Sequence, residues 1–353
     1  MVATMPTHAR ARAEANLGVV TRQQLLDTGT TPSVIAALVR AGELRVLRRG
    51  AYCLGETWEA AEPYVERPRM LARAAVATMH RSWVLSHDSA AHELGLSILT
   101  PPEPVVHVTR PGYSSAWTRD GVARHYARFQ PRQVAQVGGM RCLDVARTVA
   151  DIGRLRGELH AMVAMDAALE MGVTRAAVEE AMAAMDFYPG IVAARLGVGR
   201  ARLGAESVAE TLARDLLQVL GFDDIDLQFP VRTRSGRIYW ADLRVGNHLV
   251  EVHGVLKLRP VSDGGLADRP ADDVAREMQE RASLISARRL GISDLWWKDV
   301  RGPGRQLAGL RLLRDIATTC DRYGPTLHPE LAEEAERIRA AHPRRRTPGT
   351  LGA

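Results

Sequence analysis

With 353 residues, 46% of them hydrophobic and 25% charged, the chain is long enough for two or three domains with their own cores and too apolar for a disordered one. A formal charge of +6 and a pI near 9.6 permit a polyanionic partner without naming it. No run approaches the roughly 18 apolar residues of a membrane span, and the first residues lack the apolar segment of a signal peptide. Cys53, Cys142 and Cys320 show no C-x-x-C spacing, which argues against a disulfide framework or a cysteine zinc site. The expectation is a cytoplasmic protein without a membrane partner.

Residues 1–56 predict a winged helix-turn-helix. A helical segment covers about residues 6–17, and Thr21 caps a second at 22–27 that ends at Gly29. Thr31 at the N-cap with Pro32 at the first helical position starts a third helix. Ile35, Leu38 and Val39 form its buried stripe, and Gly42 stops it. Ser33, Ala36, Ala37 and Arg40 point outward. In ELRVLRRGAYCL, strands at 44–47 and 51–54 flank a basic turn at Arg48, Arg49 and Gly50. On double-stranded DNA this order places the third helix in the major groove and the arginine wing on phosphates or in the minor groove. The candidate contacts are Thr31, Ser33, Arg40, Arg45, Arg48 and Arg49. The alternative is a small helical domain with a solvated basic turn.

Residues 57–200 read as a mixed middle domain. Helices are expected near 68–80, 159–171 and 175–185, and strands near 105–109, 121–126 and 134–137. Asp144 caps a helix that buries Val145, Thr148 and Val149. Met162, Met165, Met171, Met182 and Met185 fall at helical spacings, as adaptable core does. His80, His87, His92, His107 and His125 lack ligand spacing on one helix face and are read as structural or exposed. No phosphate-binding glycine loop and no G-x-S-x-G elbow occurs.

Residues 201–320 predict an α/β domain in the order helix, three antiparallel strands, helix, strand. Ser207 and Glu210 suit the N-cap and N3 positions of a capping box, on a helix ending near Leu220. A first hairpin pairs 225–233 with 237–245. A second lies in WADLRVGNHLVEVHGVLK, where Gly246-Asn247 suits a two-residue turn. Such a turn sets Val245 opposite His248 and Asp242 opposite Glu251. Ala241, Leu243, Val245, Val250 and Val252 then face a core, and Asp242, Arg244, Glu251 and His253 share the other side. Opposed carboxylates repel unless a metal, a proton or Arg244 compensates. Lys257 stands close by and, with Lys298, is one of only two lysines in the chain. A loop at 258–271 and a helix at 272–290 follow. Residues 321–353 read as a helical or disordered basic tail.

These segments carry two resemblances. GVVTRQQLLDTG, RRGAYCL, SHDSAAHELGL and GGMRCLDVARTVADIG resemble the AbiEi transcriptional regulators, antitoxins of type IV toxin-antitoxin systems. SVAE, the Ala241-Asp242 pair and VEVHGVLK resemble the PD-(D/E)XK endonuclease fold, in the form related to very-short-patch repair endonucleases. The first implies DNA binding and a cognate toxin partner. The second implies a restriction-endonuclease-like domain in which Asp242 and Glu251 hold Mg²⁺ or Mn²⁺ and Glu210 is an outer or second ligand. The chain departs from that pattern in having His253 where Lys or Asp is usual and Lys257 where His is usual. His253 becomes a base or ligand, and Lys257 a cation for the scissile phosphate. Glu210 keeps its alternative as a capping residue. Three functions stay open: a DNA-binding regulator, a metal-dependent endonuclease guided by the N-terminal domain, and an interaction protein that binds a toxin.

Overall fold

The computed structural model describes residues 5–80, 82–112, 115–232, 236–253, 285 and 288–342. They form two compact units, within residues 1–201 and 202–347. The expected loop at 258–271, Lys257 and most of the expected helix at 272–290 lie outside the described residues.

The first unit opens with α1 (Thr7–Glu14), β1 (Val19–Thr21), α2 (Arg22–Asp27), α3 (Pro32–Arg40), β2 (Leu44–Arg48) and β3 (Ala51–Leu54). This is a winged helix whose sheet runs β1-β3-β2. Strand β1 is an element that the local sequence signals do not announce. The Thr21 side chain accepts the Gln24 N–H and Gln24 returns to the Thr21 N–H, closing a capping box. Thr31 caps α3 through the Val34 N–H. Ile35 and Leu38 are buried beside Val20, Leu25, Leu44 and Leu54, so the 3.6-residue stripe faces a core as its spacing requires.

Two short helices, α4 (Gly55–Ala60) and α5 (Glu66–Ala77), lead into a six-stranded mixed sheet. Its strands are β4 (Val84–Leu85), β5 (Val106–Arg110), β6 (Ser115–Arg119), β7 (Val122–Tyr126), β8 (Val134–Val137) and β9 (Met140–Leu143), in the order β6-β7-β5-β4-β9-β8. Helix α6 (His87–Leu94) follows β4 directly. Four more helices, α7 (Val145–Arg156), α8 (Glu158–Glu170), α9 (Arg175–Ala183) and α10 (Ile191–Arg200), surround a core containing Met162, Met165, Met182 and Met185. Asp144 caps α7 through the Arg147 N–H. Gly197 lets α10 approach α8, because a Cβ there would stand 2.2 Å from the Glu158 carbonyl oxygen.

In the second unit α11 (Val208–Val219) precedes the sheet β10 (Asp226–Arg232), β11 (Ile238–Val245), β12 (His248–His253) and β13 (Gly291–Trp296), in that spatial order. The first three strands are antiparallel and β13 joins β12 in parallel. Then come α12 (Trp297–Val300), α13 (Arg305–Tyr323) and α14 (Pro329–Ala341). Ala335 of α14 belongs to the same core as Phe229 of β10 and Leu249 of β12, so the expected tail is a packed part of this unit as far as that helix.

The hairpin register is as counted, with Val245 opposite His248. Its turn differs in detail. Gly246 has φ +54° and Asn247 is outside the left-handed region, the pattern of a turn with glycine first. The Asn247 side chain instead donates to the carbonyls of Tyr323, Gly324 and Thr326. The side of the hairpin opposite the Leu243 and Val250 core face is covered as well: Arg244, Leu249 and Glu251 are buried, because helices pack on this sheet and strand β13 extends it. Among the described residues, no helix is long and apolar enough to cross a membrane.

Candidate nucleic-acid interface and carboxylate site

Ser33 and Arg40 are exposed on the face of α3 opposite the Ile35 and Leu38 stripe, and Thr31 is exposed at the N-cap of the helix. Thr31 and Ser33 share a hydroxyl hydrogen bond of 2.9 Å. The wing turn is tight: Arg48 pairs with Ala51 across it, Gly50 takes φ +83°, and its carbonyl accepts the Arg22 N–H. Arg49 is exposed. Arg48 is half-buried, and burial together with the nearby Arg124 charge lowers its pKa. Arg45 lies over the Trp58 ring and pairs with Glu59 at 3.2 Å. The six candidates thus separate into an outward set at α3, an exposed wing tip at Arg49, the half-buried Arg48, and Arg45, which is paired with Glu59.

The carboxylate site is built on Asp242. Ladder pairing of β11 with β12 ends at Leu243 and Val250, and at the next step the Asp242 carboxylate accepts the Val252 N–H at 2.8 Å. On the other edge, pairing of β10 with β11 skips the position where Gln228 meets Asp242. Gln228 is buried with φ +53°, a strained backbone of the kind that costs about 1–3 kcal/mol and persists where the surroundings hold it. Its side chain donates to Glu210 at 3.0 Å. Counting one step beyond the last ladder pair places Glu251 opposite Asp242.

Glu210 is buried near the start of α11. Its N–H donates to Ser207, and its carboxylate accepts from the Ser207 hydroxyl and from the Glu206 N–H, one residue further back than a capping box requires. Burial, then the Asp242 charge, pushes its pKa up to about 7. Capping and membership of the acidic site are therefore both visible in one side chain. Arg244, weighed as the neutralising cation, is corrected. It sits opposite Asp226 in the β10–β11 register and binds that carboxylate at 2.6 and 2.8 Å.

His253 donates to Asp294 at 2.6 Å, and its ring lies 4.7 Å from that of Trp296. Asp294 also faces Glu251 in the parallel register. Sequence reasoning missed Asp294, because only the β12–β13 pairing brings it to the site. Among the described residues, the one set of three ligand-type side chains with all donor atoms within 4.8 Å is His87, His107 and His125. The carboxylates of Glu210, Asp242 and Glu251 are not all that close to one another. Of the five middle-domain histidines, which lack ligand spacing on one helix face, these three are brought together by the fold. Cys53 and Cys142 are inert core, their thiols pushed up to about 11 and about 12 by burial.

Glu210 gives the second unit a pH signature. With a folded pKa near 7 against an ordinary 4.5, the folded state holds more protons between those values, so stability falls as pH rises through them. The penalty amounts to roughly 3 kcal/mol above that window. His248 acts in the opposite sense. Burial holds it at about 4 against 6.5, so its contribution is present above 6.5 and lost as pH falls toward 4. Glu210→Gln should therefore raise the urea midpoint at pH 8, lose that advantage below pH 5, and uncover the His248 slope. An unchanged midpoint at pH 8 would contradict the buried, Asp242-coupled position of Glu210.

No curated protein matches the chain. The crystal structure of the Rv2827c protein from Mycobacterium tuberculosis is similar over 51% of this chain and 72% of that one, at 20% identity and a TM-score of 0.32. Residues 9–55, which span α1 through the winged sheet, match the family model described as a transcriptional regulator, AbiEi antitoxin.

Proposed function

We propose that this chain is a DNA-binding transcriptional regulator of the AbiEi antitoxin type, which grips duplex DNA with α3 and the β2–β3 wing and has a toxin protein as cognate partner. The observation that carries the reading is α3 itself. Its apolar stripe is buried in the core, while Thr31, Ser33 and Arg40 are exposed, as is the wing residue Arg49. With the helix in the major groove, Arg40 is the side chain able to bind a guanine edge in two places, and Arg49 serves phosphates. Selection from randomised duplexes by the full chain tests this. Arg40→Ala should relax preference at one position by roughly 1–3 kcal/mol. A chain that selects no duplex, or a variant with unaltered preference, would refute it.

A second reading, a metal-dependent endonuclease acting on phosphodiesters, is supported by the meeting of Asp242 with the buried, proton-holding Glu210 and by Glu251 opposite. The all-oxygen donor set fits a hard divalent cation. Asp242 and Glu251 would hold Mg²⁺ or Mn²⁺, with Glu210 outside them. When bound, such an ion supplies an activated water and offsets charge on the phosphate. In this reading His253, held by Asp294 through Nε2, presents Nδ1 as a proton acceptor. Mn²⁺-dependent cleavage that is lost in Glu251→Gln would favour it, and no cleavage by the unaltered chain would leave the domain a scaffold.

A further inference from the structure

Three histidines from separate elements converge in the first unit: His87 at the start of α6, His107 on β5 and His125 on β7. One ring nitrogen of each lies within 4.8 Å of the others, and His107 Nδ1 is 3.0 Å from His125 Nε2. The ring centroids are 5.1, 5.2 and 4.1 Å apart. Tetrahedral zinc with Zn–N bonds of about 2.0–2.1 Å sets the centroids of two ligating rings about 5 Å apart. Two of the three separations already have that value, and the third needs a small opening of the His87–His125 pair.

Two further observations set this cluster apart from an ordinary packed core. A hydrogen bond between the His107 and His125 rings leaves His107 Nε2 buried with no partner, although His107 is only 5% exposed. Such an orphan is uncommon in a folded core. The second is the backbone of His87, also 5% exposed, which adopts φ +49°. That conformation is unfavourable for a residue with a Cβ and recurs where side chains are held for function. Ser86 completes the support. Its hydroxyl oxygen lies 3.0 Å from His87 Nδ1 and accepts from the Thr109 hydroxyl at 2.7 Å. A proton on His87 Nδ1, donated to Ser86, puts the lone pair on Nε2, the outer-shell arrangement that orients metal-binding imidazoles.

We propose that His87, His107 and His125 form a three-nitrogen site for a divalent transition-metal ion of the zinc type. Imidazole donors suit zinc and its neighbours, whereas Mg²⁺ takes oxygen. Three protein nitrogens leave a fourth position open, and half-buried His125 lies on the solvent side. Burial, first among the causes, holds His87 far below its usual range and His107 at about 4, so both offer lone pairs at neutral pH. Arg147 and Arg154 lie near enough to oppose a cation, but each is paired with Asp151, at 3.0 and 3.3 Å.

The test is a Co²⁺ titration of the tag-free full chain after chelator treatment, followed by Zn²⁺. The expected result is one Co²⁺ per chain with the intense visible ligand-field band of a tetrahedral site, displaced stoichiometrically by Zn²⁺. His125→Ala should weaken binding by more than the roughly 10–100-fold that loss of an outer-shell partner causes. His80→Ala, at an exposed residue, should bind as the unaltered chain does. If circular dichroism shows His125→Ala unfolded, His107→Gln takes its place. An unaltered chain without the band, equal binding by the ligand variant, or loss of the band in His80→Ala overturns the proposal.

Discussion

Replacing Glu93 by Ala should destabilise the first unit by roughly 3–5 kcal/mol, the range for stranding one partner of a buried ion pair. The Glu93 side chain is fully buried and Arg73 is 5% exposed. Two guanidinium nitrogens of Arg73 meet the two carboxylate oxygens of Glu93, each at 3.0 Å, which is a fork-to-fork contact. Arg73 also donates to Asn16, between α1 and β1, and to the Gly138 carbonyl in the β8–β9 turn. One guanidinium thus ties α5 to α6, to the winged helix and to the six-stranded sheet. Glu93→Ala would leave that cation buried with two neutral acceptors. A lower urea midpoint, with faster hydrogen exchange in peptides from residues 66–94, is the expected result. Restoration by an apolar pair, Arg73→Met with Glu93→Leu, would show that the loss came from the stranded charge. A loss below about 1 kcal/mol, the value of an exposed pair, would contradict the burial.

Leu38→Ala should cost roughly 2–5 kcal/mol, because a fully buried leucine leaves a cavity as well as lost transfer energy. Its neighbours are fixed by the three-stranded sheet and by capped helices, so little collapse into the space is available. DNA affinity should fall with stability, since α3 is held in place by this contact. Ser33→Ala separates the two effects. Ser33 is exposed and bonded to the Thr31 hydroxyl, so its loss should change stability by at most about 0.5 kcal/mol while altering DNA binding. Equal stability of Leu38→Ala and the parent in urea would remove the assigned core.

Much of the N-terminal fold was legible because its signals are local. Thr31-Pro32, the Ile35 and Leu38 stripe and the glycines that end helices act within one or two turns of chain. The Val245–His248 register was legible for the same reason, since a two-residue turn fixes it. Partners brought from afar were not legible. Arg244 was weighed against Asp242 and Glu251 because they were near in sequence, whereas its carboxylate, Asp226, comes from the strand on the other side. Asp294 reaches His253 only through parallel pairing across 41 residues. The three histidines have no helical spacing because they converge through β5, β7 and the β4–α6 junction, and a search for ligands on one helix face passes over them. His248 was placed only as the turn partner of Val245, and its burial between Thr319 and Ser293 depends on residues 45 and 71 positions further along the chain.

The salt dependence of duplex binding by the intact chain tests the central claim most directly. With the wing on phosphates, log affinity should fall linearly with log salt, and Arg49→Ala should flatten the slope by about 0.9, one phosphate contact. Arg48→Ala should flatten it less, because Arg48 is half-buried. Duplex binding that is insensitive to salt, or an Arg49→Ala variant with the slope of the unaltered chain, would contradict the assignment of α3 and the wing as the DNA-binding surface.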